Sequence, residues 1–144
     1  MAKRFLDSKI STNASTTGAI SVPLTSTPTL FATLGLNAIN AGPNLEVQFT
    51  VTSEVNLLTT STITITVQRV VAGVPTTIYS STVDLQIVST TTSNSRNLIT
   101  FNGVDNNPPA TFLVYQALIS SPELPGLAPI RVGPESMIAA AYSD

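Results

Sequence analysis

The sequence lacks most of the side chains that carry protein chemistry. It has no Cys, no His and no Trp, and only six basic and eight acidic residues among 144. Without Cys there are no disulfides, and without Cys or His a zinc or copper site is not expected. Acid–base catalysis usually needs a His or two carboxylates in one environment, but the carboxylates here are spread singly. We therefore expect neither an enzymatic activity nor a cofactor.

The scarcity of charge excludes further function classes. Half of the basic residues, Lys3, Arg4 and Lys9, lie within the first ten positions, so the rest of the chain offers no basic patch for nucleic acid. No run of 18 apolar residues occurs, so we expect no transmembrane helix and no membrane partner. The opening MAKRFLDSKIST has a basic start without an apolar stretch behind it, so we expect no secretory signal peptide.

Neutral hydroxyl groups take the place of charge as the polar material. Ser and Thr supply 38 residues, while 42% of the chain is hydrophobic and 10% is charged. A net charge of −2 repels copies of the chain only weakly, which favours self-association. The alternative is an ordinary β domain with a hydroxyl-rich surface.

Strand patterns dominate the sequence. In residues 45–57, apolar side chains alternate with polar ones, which predicts a half-buried antiparallel strand. Residues 60–85 read as a hairpin with its turn at 73–75. Further strands are predicted at 15–23, 29–37, 97–102, 110–119 and 136–142. Residues 89–95 and the Pro-rich 120–134 are predicted to be loops.

About eight strands and negligible helix in a chain of this length predict a single all-β domain. We expect an antiparallel two-sheet sandwich of the jelly-roll type, with an immunoglobulin-like sandwich as the alternative. Phe49, Phe101 and Phe112 are expected in its core. The domain is predicted to span residues 15–144, behind an N-terminal arm at 1–14.

Two predicted strands are apolar on both faces, which indicates either cover by a loop or contact with another subunit. We favour a lateral subunit interface. Its expected members are one register of each strand: Leu113, Tyr115, Ala117, Ile119, Met137, Ala139 and Ala141.

The N-terminal arm combines cations with hydrophobic side chains. Phe5, Leu6 and Ile10 would each gain about 1.5–3 kcal/mol from full burial, so we expect them to anchor the arm on a neighbouring subunit by strand addition. Repeated contacts of that kind build fibres. The alternative is a disordered tail.

One loop carries oxygen ligands. Asp105, Asn106 and Asn107 in NGVDNNPPA could contact calcium, although a single carboxylate compensates its charge poorly. An Asn-Gly turn followed by an Asx-rich loop explains the same residues. We therefore predict no metal site.

Three segments together resemble a known family. VQRVVAGVPTTIYSSTVDL, NLITFNGVDNNPPATFLVYQALIS and IRVGPESMIAAAYSD are similar to the tumour-necrosis-factor-like jelly rolls of the Bacillus-type spore surface. The resemblance covers roughly residues 20–143 and is one of pattern and composition. The chain lacks the collagen-like repeat of the exosporium filament protein and the N-terminal Cys residues that staple some spore appendages.

The resemblance implies an extracellular subunit of an endospore appendage or pilus. Homotrimers would stack head-to-tail through the N-terminal arm, with anchoring or tip proteins of the spore surface as further partners. The alternative function is a trimeric receptor- or glycan-binding tip domain of a spore filament or phage fibre, using the 120–134 or 103–109 loop.

Overall fold

The computed structural model describes residues 2–87 and 95–144, and its regular structure is entirely β. No helix in these ranges is long and apolar enough to span a membrane. The predicted loop at 89–95 lies outside the described residues except for Ser95. Nine strands follow in chain order: β1 Arg4–Ala14, β2 Val22–Pro23, β3 Thr29–Asn37, β4 Glu46–Leu57, β5 Ser61–Val71, β6 Val74–Leu85, β7 Ser95–Asn106, β8 Phe112–Ser120 and β9 Ile130–Ser143.

The strands form two antiparallel sheets that pack face to face. Sheet I has the order β1-β9-β4-β7, and the short β2 also pairs with β9. Sheet II has the order β3-β8-β5-β6. The chain crosses between the sheets several times, as in a jelly roll. The predicted all-β two-sheet sandwich is confirmed.

The core lies between the sheets and is built from one register of each inner strand. In β4, Val47, Phe49, Val51, Val55 and Leu57 are buried together with Ser53, which shares their register, while the alternate residues face outward. This is the alternation expected from the sequence. Burying side chains of this size contributes about 1.5–3 kcal/mol each, so the hydrophobic core is formed within one chain.

The β5–β6 hairpin differs from the prediction in its turn. Val71 pairs with Val74, so the turn residues are Ala72 and Gly73, with φ of 50° and 79°. Two residues with positive φ suit a two-residue hairpin turn. Pro75 is locked near φ −65° and lies in the edge strand β6 instead of the predicted turn.

Strand β9 begins inside the predicted 120–134 loop and occupies the middle of sheet I. In the pairing with β4, Ser53 lies opposite Glu135 and Val55 lies opposite Arg131. Over this stretch β9 advances by four residues while β4 advances by two, so β9 contains a bulge. Pro134 lies in this bulge, where a missing N–H donor does not interrupt the ladder. The prediction of a loop was wrong for residues 130–134, because the bulge accommodates proline inside a central strand. Residues 121–129 do lie outside the strands and connect β8 to β9.

Two other boundaries also differ. The strand predicted at 15–23 is reduced to the two residues of β2, and residues 15–21 connect it to β1. The strand predicted at 97–102 extends through Asn102 and Gly103 to Asn106, so no turn occurs at the Asn-Gly pair. Gly103 lies opposite Phe49 on β4.

An aromatic cluster closes the side of the sandwich between the edge strands β6 and β7. The Phe49 ring lies against Gly103, where a Cβ atom would collide with it. Tyr79 stacks on Phe101 with ring centroids 4.6 Å apart, and Phe49 meets Tyr79 edge-on at 5.9 Å. Phe49 is buried and Phe101 half-buried, but Phe112 is 52% exposed. Its placement in the core was wrong because it points outward from β8.

Candidate assembly surface

The outer face of sheet I carries apolar side chains from several strands. Ile10 on β1 lies opposite Ile138 on β9, and Phe5 lies opposite Tyr142. One row along the sheet, Ala140 pairs with Gln48, which in turn pairs with Val104 on β7. These outward residues form what we call the sheet I surface: Phe5, Ser8, Ile10, Gln48, Thr50, Asn102, Val104, Ile138, Ala140 and Tyr142.

Several of these apolar side chains are left open to solvent. The exposed fraction is 58% for Phe5, 67% for Ile10, 46% for Ile138 and 46% for Val104. A groove of about 360 Å³ runs over β9, β4 and β7 and is lined in part by Val104, Ile138 and Ala140. Contiguous exposed apolar patches commonly mark interaction sites.

Charged groups stand at the margins of this surface. Lys3 and Glu46 form an ion pair at one end, and this pairing, with a hydrogen bond from Gln48, lowers the pKa of the Glu46 carboxyl. At the other end Thr17 donates to Glu54 at 3.0 Å. The central rows carry Ser, Thr, Asn and Gln as their polar side chains. The surface can therefore meet another uncharged surface without burying an ionised group.

Strand β1 is joined to the rest of the chain by more than its ladder with β9. Two register shifts leave Leu6 and Asn13 as extra residues, and bulges of this kind redirect side chains. Leu6 packs against the core, and the Asn13 amide donates to Glu135 at 2.8 Å. The extra residue at each bulge therefore connects β1 to the interior of the sandwich.

The edges of β1 and β3 meet along one side of the sandwich. The Asp7 carboxylate accepts the backbone N–H of Asn37 at 2.9 Å, and the Ser11 hydroxyl accepts that of Thr33 at 3.1 Å. The bond from Asn37, together with Lys9, lowers the pKa of the Asp7 carboxyl. These contacts occupy N–H groups of an edge strand, which would otherwise be free to pair with another chain.

A buried network centres on Glu135, whose side chain is fully inaccessible. Arg131 donates two hydrogen bonds to the carboxylate, both at 2.7 Å. Asn13 from β1 and Ser53 from β4 contact the same group at 2.8 Å and 3.3 Å. The β9 bulge makes the Arg131–Glu135 pair possible, since residues four apart on a regular strand lie about 13 Å apart. The network thus joins three neighbouring strands of sheet I.

A second buried network connects the two sheets. Arg69 on β5 donates to both oxygens of Asp105 on β7, at 2.8 Å and 2.7 Å, and the Tyr115 hydroxyl on β8 donates to Asp105 at 2.8 Å. Burial, followed by the bond to Asp105, raises the pKa of the Tyr115 hydroxyl. Both Asp105 oxygens are occupied by these donors. Among the described residues, no group of three or more His, Cys, Asp or Glu side chains could hold a metal ion.

The expected lateral interface lies inside the molecule. The seven predicted side chains are buried in the core of their own chain: Leu113, Tyr115, Ala117, Ile119, Met137, Ala139 and Ala141. Both faces of β8 and β9 are apolar in sequence, and the prediction assigned the wrong face to the interface. The side chains chosen for the interface point toward the opposite sheet. On β9 the outward register, with Ile138 and Ala140, faces solvent instead.

The predicted docking arm is strand β1. Phe5 and Ile10 lie exposed on the sheet I surface, while Leu6 packs on the core. Residues 4–14 pair with β9 of the same chain, so in this structure the segment belongs to the sandwich. Docking on a neighbouring subunit stays a prediction.

The sequence interpretation missed both buried ion pairs. Asp105 stands in NGVDNNPPA and Glu135 directly follows Gly133 and Pro134, so the local sequence indicated loops and gave no signal that these carboxylates are buried. What could not be read was the partner, because Arg69 and Asp105 are far apart in sequence. The β9 bulge that aligns Arg131 with Glu135 was hidden by the assignment of residues 120–134 to a loop.

Comparison with known proteins gave no matching family model and no matching curated protein. Solved structures do match. Eiger TNF from S. frugiperda is 13% identical with a TM-score of 0.52, covering 98% of this chain and 94% of that one. The VP2 protein of infectious bursal disease virus in T=1 particles is 14% identical with a TM-score of 0.52, covering 98% of this chain and 36% of that one.

Latent PorU from Porphyromonas gingivalis is 8% identical with a TM-score of 0.55, and the match covers 97% of this chain. The chain spans 13% of the length of PorU. At such low identities the likeness concerns the fold alone. The chain has the jelly-roll fold seen in a TNF-like protein and in a viral capsid protein.

Proposed function

We propose that this chain is a structural subunit of a self-assembling extracellular fibre, an appendage or pilus on the surface of bacterial endospores. The observation that carries the proposal is the sheet I surface. Phe5, Ile10, Val104 and Ile138 are 46–67% exposed on one face, although the core between the sheets is complete without them. Covering this exposed apolar area with another molecule is favourable, because it removes the area from water.

The low charge of the chain is compatible with a second copy packing on the sheet I surface. The net charge is −2 and the central rows of the surface are uncharged, so two copies approach with little repulsion. A jelly roll is compatible with large assemblies, as the T=1 particles of the viral VP2 protein illustrate. The spore location and the head-to-tail stacking of trimers rest on the sequence resemblance.

The test replaces single side chains on the sheet I surface and leaves the core untouched. Ile10→Lys and Ile138→Lys each place a cation where an uncharged partner surface would have to desolvate it. The matched control is Leu124→Lys, because Leu124 is 70% exposed but lies in the loop before β9. Analytical ultracentrifugation and negative-stain microscopy measure the assembly state.

We expect filaments from the unmodified chain and from the Leu124 variant, and smaller species from the two surface variants. A strictly monomeric unmodified chain at high concentration would rule out the fibre. Immunogold labelling of intact spores checks the location, and the absence of label from their appendages would rule out that site.

A second candidate is a receptor- or glycan-binding tip domain. Leu124 and Leu127 are exposed together in the Pro-rich segment between β8 and β9, where a binding loop would offer apolar contacts. This function predicts discrete trimers that do not elongate, and loss of ligand binding in the Leu124→Lys variant. The same ultracentrifugation series therefore separates the two candidates.

A further inference from the structure

The site that holds β1 recognises that strand by specific side chains as well as by its backbone. Asn13 donates to the buried Glu135, Asp7 and Ser11 accept N–H groups of β3, and Arg4 donates to the carbonyl of Asn40 at 3.1 Å. A slip by one residue would turn each of these side chains to the other face. The β1 site is therefore selective for the sequence of β1 in one register.

Glu135 disfavours the binding of any other strand in the β1 site. Its carboxylate is fully buried, and one of its donors comes from β1. Loss of a hydrogen-bond partner from a buried charged group leaves its charge incompletely compensated, which is unfavourable. A strand without an amide at the position of Asn13 would thus bind the site less tightly than β1 itself.

Strand β1 is also placed so that it can leave its own sheet. It is the edge strand, and β9 is its ladder partner in the part of the chain that the structure describes. Residues 15–21 follow it, held to β9 by bonds from the Gly18 and Ile20 N–H groups to the Val132 carbonyl, at 2.8 Å and 3.5 Å. Once those bonds open, this connection spans at most about 25 Å.

From these contacts we propose that, in the fibre, β1 of each subunit occupies the β1 site of the next subunit. The inference rests on the proposed fibre function. The exchanged strand makes the same contacts that it makes within one chain, so exchange costs little beyond opening residues 15–21. Because each subunit donates one β1 and accepts one, the contact is heterologous and extends into a filament when the ring does not close. The partner is thus a second copy of this chain.

The absence of Cys from the sequence allows a direct test. Ser8 and Ala140 lie opposite each other across β1 and β9, and directly opposite residues fall within the range of disulfide geometry. Chains with Ser8→Cys and chains with Ala140→Cys are co-expressed, assembled and oxidised. The control mixes Thr52→Cys with Thr100→Cys chains, since these positions are opposite each other on β4 and β7 within the body of one subunit.

Exchange predicts disulfide-linked dimers of two different chains on non-reducing denaturing gels in the Ser8–Ala140 mixture, and none in the Thr52–Thr100 mixture. Filaments without such dimers would overturn the exchange while leaving the fibre intact. A chain that never forms filaments would overturn both.

Discussion

At the residue scale, the unusual feature is that scarce charges are placed in the interior. Arg131 with Glu135, and Arg69 with Asp105, form ion pairs whose acidic members are buried. Within the described residues, every buried side-chain nitrogen or oxygen has a hydrogen-bond partner. Complete pairing matters because a buried charge without its partner is far more costly than a buried apolar side chain. The pairs specify how strands and sheets align, more than they add stability.

Arg131→Met is expected to lower the free energy of unfolding by about 3–5 kcal/mol, because it leaves Glu135 buried without its cation. The double variant Arg131→Met with Glu135→Leu should recover much of that loss. Urea denaturation measures both. Arg96→Met, at an exposed position of β7, is the matched control. Equal losses for Arg131→Met and Arg96→Met would contradict the role of the buried pair.

Asp7 gives the β1–β3 contact a dependence on pH. Its pKa is lower in the folded chain than the ordinary 3.8, chiefly through the Asn37 N–H bond. The ionised carboxylate therefore stabilises the fold above 3.8, and this contribution is lost as the pH falls through the lowered value. We expect Asp7→Asn to be less stable than the unmodified chain at neutral pH, with the difference vanishing in acid.

Thermal unfolding as a function of pH measures this difference. The comparison variant is Asp84→Asn, which removes an exposed carboxylate from β6. If the difference in stability between the Asp7 variant and the unmodified chain stayed the same in acid, the Asn37 contact would not be the cause of that difference.

At the scale of elements, the two open sides of the sandwich are closed in different ways. The β1–β3 side is joined by Asp7 and Ser11, and the β6–β7 side by the rings of Phe49, Tyr79 and Phe101. Edge strands that remain accessible invite pairing with other chains. The polar closure at β1 can be remade by another copy of the same strand, whereas the aromatic closure depends on packing within the core.

Gly103→Ala is expected to destabilise the fold by about 1–3 kcal/mol, because the added methyl group collides with the buried Phe49 ring. The matched comparison is Gly35→Ala. There the added Cβ would meet the Phe112 ring at 2.6 Å, but that ring is largely exposed and can turn away. Chemical denaturation should rank Gly103→Ala as the more damaging change. The opposite ranking would mean that Phe49 is free to move.

At the scale of the whole molecule, low charge and an apolar outer face act together. The chain is nearly neutral, and four of its exposed large apolar side chains lie on the sheet I surface: Phe5, Ile10, Val104 and Ile138. Association through such a surface depends on removing apolar area from water, not on pairing ions. This distinguishes it from assembly through complementary charged patches.

We therefore expect sodium chloride to leave assembly unchanged and sodium sulfate to strengthen it, because excluded salts favour burial of apolar area while screening affects only charge contacts. Light scattering at matched ionic strengths measures the effect. Dissolution of the assemblies by moderate sodium chloride would indicate ionic contacts between subunits and would contradict the apolar interface.

Most strands could be predicted because their information is local. Residues 46–57 alternate between apolar and polar side chains in the sequence itself, and they fold as β4 with the expected face in the core. Residues 29–37 fold as the predicted strand, β3. The failures occurred where a local rule has a tertiary exception. Pro134 predicted that no central strand passes through it, but it lies in a bulge of β9. Asn102 and Gly103 predicted a turn, but Gly103 lies within β7 and leaves room for the Phe49 ring.

The sequence by itself determined the fold class, because alternation of Thr with Val and Ile specifies strands. The tertiary structure decided which face of each strand is buried, and therefore that Tyr115 and Met137 are core while Ile138 is surface. It also decided that Asn13 meets Glu135, across 122 positions of the chain. The physical reason is that alternation reports a period of two, but only the packing of the second sheet chooses between the two registers.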